Sequence, residues 1–115
     1  MVLIIDDEVD LCLLLKSFFL SYNYKVHYCH SLAAGVELCK KLSPDILFLD
    51  NNLPDGNGWD KANWFFNKFN SIYIFLISAY QHNKVEKLKS NHFAIIEKLL
   101  SLKIIQKTLN NIVTE

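Results

Sequence analysis

S-P-D-I-L-F-L-D-N-N-L-P-D-G-N-G, residues 43–58, is the stretch from which the rest of the chain can be read. Ile46, Leu47, Phe48 and Leu49 do not alternate with polar residues, which predicts a strand covered on both faces, as in a parallel sheet between helices. The run stops on a carboxylate, Asp50, and then breaks into Pro54, Asp55-Gly56 and Gly58. Proline fixes φ and glycine admits positive φ, so a loop follows. A carboxylate at the end of a buried strand is placed rather than scattered, whereas Asp55-Gly56 reads as a plain turn with no chemistry of its own.

The same form recurs outward from this stretch. Residues 2–5 are a short apolar run that ends on Asp6-Asp7-Glu8. Over residues 9–22, Val9, Cys12, Leu15, Phe18, Phe19 and Tyr22 recur at helical spacing and predict a core-facing helix, made unusually apolar by Leu11, Leu13 and Leu14. Residues 24–28 predict a second strand. Ser31 is a candidate N-cap for a helix that turns Leu32, Val36, Cys39 and Leu42 inward and ends before Ser43-Pro44. After Gly58, residues 59–69 predict a helix of weak propensity, 72–77 a strand ending at Ser78-Ala79, and 84–90 a short basic helix. Residues 93–96 predict a fifth strand followed by Glu97-Lys98, and Ser101 caps a last helix with Leu102, Ile105, Leu109 and Ile112 on one face. Five strand-then-helix units predict one α/β domain over 1–115, doubly wound, with a parallel sheet in the order 2-1-3-4-5.

Composition narrows the function classes. The 115 residues are 51% hydrophobic with only 3 Gly and 2 Pro, which excludes a disordered or repetitive chain. Lys plus Arg and Asp plus Glu balance at 12 each, so the basic excess of a nucleic-acid binder is missing. Cys12, Cys29 and Cys39 are an odd number without a C-x-x-C pair, which favours reduced core thiols and a cytoplasmic location. His27 and His30 lack partners at metal-site spacing and read as ordinary strand-end and loop histidines. No leader pattern opens the chain, and no apolar run reaches the roughly 18 residues of a membrane span.

In a parallel sheet all strands point one way, so Asp6, Asp7, Asp50, Ser78 and Lys98 emerge together at the carboxyl edge, where open α/β sheets bind ligands. Order 2-1-3-4-5 makes the first and third strands neighbours and sets Asp6 and Asp7 beside Asp50. Each residue alone has a blander reading: a helix cap for the acids, a loop hydroxyl for Ser78, a solvated amine for Lys98. Their joint placement at successive strand ends decides for a site. Carboxylates about 4 Å apart repel by roughly 1 to 4 kcal/mol a pair, and a hard divalent cation such as Mg²⁺ compensates. A carboxylate nucleophile, a metal, a lysine and a hydroxyl together describe phosphoryl transfer to an aspartate.

I-I-D-D-E at 4–8, D-I-L-F-L-D-N-N-L-P-D-G-N-G at 45–58, Ser78-Ala79 and Lys98 resemble, in order and spacing, the motifs of the receiver (phosphoacceptor) domain of bacterial two-component response regulators. The resemblance runs from Val2 through the last helix and implies a flavodoxin-like (βα)5 fold. It implies that Asp50 accepts a phosphoryl group from a sensor histidine kinase or phosphotransfer protein. Mg²⁺ would be held by Asp7, Asp50 and the backbone carbonyl of Asn52, and by Asp6 largely through water. Lys98 would pair with the phosphoryl oxygens and Ser78 would hydrogen-bond the group. The resemblance further implies self-catalysed phosphotransfer and dephosphorylation at most rather than a turnover enzyme. Its partner implications are a homodimer through the fourth helix, fifth strand and fifth helix, outputs that include transcription regulation, and no direct nucleic-acid contact by this domain.

Two residues depart from the family pattern: Leu99 follows Lys98 where proline is usual, and Ile95 stands at the aromatic switch position. They motivate an alternative, a receiver-like protein-interaction module with little phosphorylation-dependent switching. A phosphatase using Asp50 for turnover ranks last, because Asn52, two residues on, cannot titrate as an acid or base. Asn52 together with the bulk of Tyr80 predicts a long-lived phosphoaspartate.

Overall fold

A strand sends successive side chains to opposite faces, and here both faces need an apolar cover. The computed structural model describes residues 1–69, 72–78 and 93–97. In chain order these form β1 (Val2–Ile5), α1 (Val9–Leu20), β2 (Val26–Cys29), α2 (Leu32–Leu42), β3 (Ile46–Asp50), β4 (Asn52–Leu53) and β5 (Gly56–Asn57). A 3-10 helix (Gly58–Lys61), α3 (Ala62–Lys68), β6 (Tyr73–Ser78) and β7 (Phe93–Glu97) follow. Val2 and Ile4 of β1, Ile46 and Phe48 of β3, and Phe75 and Ile77 of β6 pack with Leu11, Cys12, Leu15 and Phe19 of α1. Their neighbours Leu3, Ile5, Leu47, Leu49, Ile74 and Leu76 join Leu32, Cys39, Ala62 and Phe65 of α2 and α3 on the other face. The unbroken apolar runs are thus two interleaved faces, each buried.

The main sheet has the order β2-β1-β3-β6-β7 with every pair parallel. With the small hairpin β4–β5 set aside, that is the predicted 2-1-3-4-5 doubly wound arrangement. The helices predicted at 84–90 and after Ser101 lie outside the described residues. Among the described residues no helix is long and apolar enough to cross a membrane.

Local differences have local causes. The core face of α1 is Leu11, Cys12, Leu15 and Phe19, whereas Val9 and Tyr22, predicted inside, are exposed. Val9 lies in the first turn, off that stripe, and the helix ends at Leu20. Tyr22 therefore lies past the helix end and rests its ring against Phe18, before Asn23 turns the chain at φ 66°. The helix predicted over 59–69 begins instead as a 3-10 turn, in which Asn57 Oδ1 accepts the Trp59 N–H at 3.1 Å and the Ala62 N–H donates to the Trp59 carbonyl. α2 follows prediction: Ser31 Oγ accepts the Ala34 N–H at 3.2 Å, and Ser43, at φ 47°, closes the helix by donating to the Cys39 carbonyl. Gly35 lets α2 approach β1, since a Cβ there would collide with the Ile5 side chain.

Phe48 is the centre of the α1 face. Its ring stacks on Phe75 at 4.5 Å and meets the edge of Phe19 at 5.4 Å. Truncation of a buried aromatic removes both transfer energy and packing, so Phe48→Ala is expected to lower the unfolding free energy by about 3 to 5 kcal/mol. Urea denaturation measures this, and a loss below about 1 kcal/mol would contradict the packing described.

Candidate functional site

The register between β1 and β3 pairs Ile5 with Leu49, and continuing it by one residue sets Asp6 level with Asp50. Asp6, Asp7 and Asp50 each offer a carboxylate oxygen such that all lie within 4.8 Å of one another. Asp6 is 0% and Asp50 1% exposed, while Asp7 is exposed, so the cluster meets solvent on the Asp7 side. Asp6 is fixed by its own backbone turn: Oδ1 accepts the Glu8 N–H at 2.8 Å. The Asp6 carbonyl is met by His30 Nδ1 at 2.8 Å and Cys12 Sγ at 3.4 Å. A carbonyl can only accept, so His30 carries its hydrogen on Nδ1.

His30 was legible in principle. β2 pairs Cys29 with Ile5, so the next residue along, His30, falls beside Asp6. The predicted strand order contains that adjacency, but the histidine alone carries no motif.

The loop after Asp50 is pinned at its base. The Asn51 N–H donates to the Ile77 carbonyl at 3.2 Å, and the Gly58 N–H donates to the Asn51 carbonyl at 3.0 Å. A Cβ on Gly58 would overlap the Asp50 carbonyl oxygen, so only glycine permits this close approach. Between these points Asn52 pairs with Asn57 and Leu53 with Gly56. Ser78 closes β6, one residue beyond the pair Asp50 and Ile77, and so lies at the same sheet edge. Lys98 lies outside the described residues.

Charge acts on the nearest thiol. Burial, then the Asp6 carboxylate, with smaller contributions from Cys29, Asp7 and Asp50, pushes Cys12 from an ordinary 9.0 up to about 12. Burial likewise raises Cys29 to about 11 and Cys39 to about 12, and all three are free thiols, as the sequence predicts. Among the described residues the group whose ligand atoms converge is Asp6, Asp7 and Asp50, a donor set of hard carboxylate oxygens. That chemistry fits Mg²⁺ and does not fit a thiophilic metal.

The family model of the response regulator receiver domain matches residues 2–110. The chain belongs to that family. A two-component response regulator from Clostridium difficile has a similar fold, with TM-score 0.89 and 22% identity over 99% of this chain and 95% of its own. The signal receiver domain of a DNA-binding response regulator from Colwellia psychrerythraea gives 0.86 and 17% over 99% and 98%. The non-phosphorylated HemR receiver domain from Leptospira biflexa gives 0.83 and 23% over 99% and 94%. No curated protein sequence matches the chain. A receiver domain is a signalling domain rather than a conventional enzyme; it works with histidine kinases or phosphotransfer proteins and binds Mg²⁺ at an acidic pocket.

The raised thiols make stability fall with pH. The unfolded chain ionises its cysteines near the ordinary 9.0, while the folded chain holds the protons to about 11 or 12, so stability is full below 9.0 and declines above it. Denaturation midpoints at rising pH are expected to show this. Iodoacetamide at about pH 8 should label the receiver domain only as fast as it opens; rapid labelling of the native protein contradicts the burial described.

Proposed function

We propose that this receiver domain, spanning residues 1–115, is a phosphorylatable switch with Asp50 as the acceptor. The observation that carries this reading is the convergence of Asp6, Asp7 and Asp50 within 4.8 Å at the carboxyl edge of the sheet. The buried Asp50 carboxylate attacks the phosphorus of a phosphohistidine on a sensor kinase or phosphotransfer protein; the P–N bond breaks and the imidazole leaves with its electron pair. Mg²⁺ is assigned to Asp7, Asp50 and the Asn52 backbone carbonyl, with Asp6 acting largely through water. When bound, the ion offsets the charge that the carboxylates and the phosphoryl oxygens bring together.

The protein residues do the rest. Asp6, locked by Glu8, His30 and Cys12, holds its carboxylate facing the acceptor without needing to rearrange. Lys98 is assigned to the phosphoryl oxygens and Ser78 to a hydrogen bond that forms once the group is in place. Ile95, on β7 opposite Leu76, packs partly buried against the α2 and α3 side of the core. Being aliphatic it has no ring to rotate, and with Leu99 it motivates the alternative of a receiver-like interaction module with little phosphorylation-dependent switching.

With Mg²⁺ and acetyl phosphate, intact-mass measurement is expected to show a single phosphoryl adduct on the wild type and none on Asp50→Asn or with a chelator. An adduct that survives Asp50→Asn overturns the assignment. Mg²⁺ at one hundred times its Kd should raise wild-type stability by about 2.7 kcal/mol and stabilise Asp50→Asn much less.

A further inference from the structure

The N-terminus of α2 is closed by a residue more than twenty positions away. Ser31 Oγ takes the Ala34 N–H, but the Leu32 and Ala33 N–H groups donate to the two carboxylate oxygens of Asp55, at 2.8 and 2.9 Å. These are groups a helix cannot satisfy internally, and a carboxylate at that end also complements the helix dipole. The Ala33 and Leu32 N–H groups hold the Asp55 carboxyl below its ordinary range.

Asp55 sits at the tip of the β4–β5 hairpin, whose other end begins at Asn52, directly after the Asp50-Asn51 step. That hairpin has only the pairs Asn52 with Asn57 and Leu53 with Gly56, and so short a ladder does not hold its own shape. Its base is pinned by Asn51 and Gly58. Its tip is pinned by Asp55, by Leu53 packing in the same cluster as Leu32, and by Gly56, whose φ of 151° and lack of a side chain let it lie against Leu32. The orientation of the peptide at Asn52 is therefore set between two anchors, and the outer one is a helix cap.

We propose that Asp55 is a positioning residue for the metal site: by capping α2 it ties down the tip of the hairpin and so aims the Asn52 carbonyl. The inference rests on the assignment of that carbonyl to Mg²⁺. It also gives α2 a role at the site, since any displacement of the α2 N-terminus passes to the Asn52 peptide through two hydrogen bonds.

Calorimetric titration of the full chain with MgCl₂ tests it. Asp55→Ala is expected to weaken Mg²⁺ binding by about tenfold, the lower end for loss of a group supporting a metal ligand. Asp55→Asn keeps one acceptor oxygen and should fall between, and it serves if the alanine variant does not fold. Ser31→Ala removes the local cap of the same helix but not the tie to the hairpin, so it should lower stability and leave the Mg²⁺ affinity unchanged. In the apo protein, Asp55→Ala should speed amide hydrogen exchange at Leu32, Ala33 and the hairpin together. The inference is overturned if both Asp55 variants bind Mg²⁺ like the wild type, or if Ser31→Ala weakens binding as much as Asp55→Ala. A wild type that takes up no Mg²⁺ overturns the underlying site assignment as well, which separates the two failures.

Discussion

A parallel sheet covered on both faces has no place within its strands for a charge, and this constraint organises the molecule. Val2 to Ile5 and Ile46 to Leu49 are each buried along their whole length. A carboxylate in such a run is accommodated at the strand end, where the apolar cover gives way to an acid cluster that meets solvent on its Asp7 side. Asp6 and Asp50 occupy those ends, and the register of neighbouring parallel strands brings them level. The site follows from the impossibility of putting those acids anywhere else along these strands.

Crowding them has consequences for everything nearby. Like charges this close oppose folding unless positive charge or fixed dipoles meet them. The backbone around the acids is accordingly held from several directions: His30 and Cys12 on the Asp6 carbonyl, Glu8 on the Asp6 carboxylate, Gly58 against the Asp50 carbonyl. These contacts come from the residue that follows β2, from α1 and its N-cap, and from the start of the 3-10 helix, so the site is braced by several separate segments.

Much of the fold could be read from the chain because the relevant signals are local. Continuous apolar runs of four or five residues, the Ser31 cap and the turn residues after Asp50 each act through near neighbours, and they appear where expected. The misplacements are those in which the deciding partner is distant or the pattern is saturated. In α1 so many positions are apolar that spacing alone cannot choose the buried stripe, and the sheet chose Leu11 over Val9. Asp55 looked like a turn residue because the helix it caps lies 22 to 23 residues earlier.

What the sequence determined by itself is the inventory and its order: two-faced strands, acids at their ends, glycines and prolines where the loops must turn. These are properties of consecutive residues, and no other part of the chain is needed to express them. Only the tertiary structure decided which groups meet. Strand order set Asp6 level with Asp50 and brought His30 to the Asp6 carbonyl, and the packing of the hairpin on Leu32 carried Asp55 to the end of α2. Those meetings depend on register and on how layers stack, which arise from burying both faces of the sheet at once rather than from any stretch of the chain.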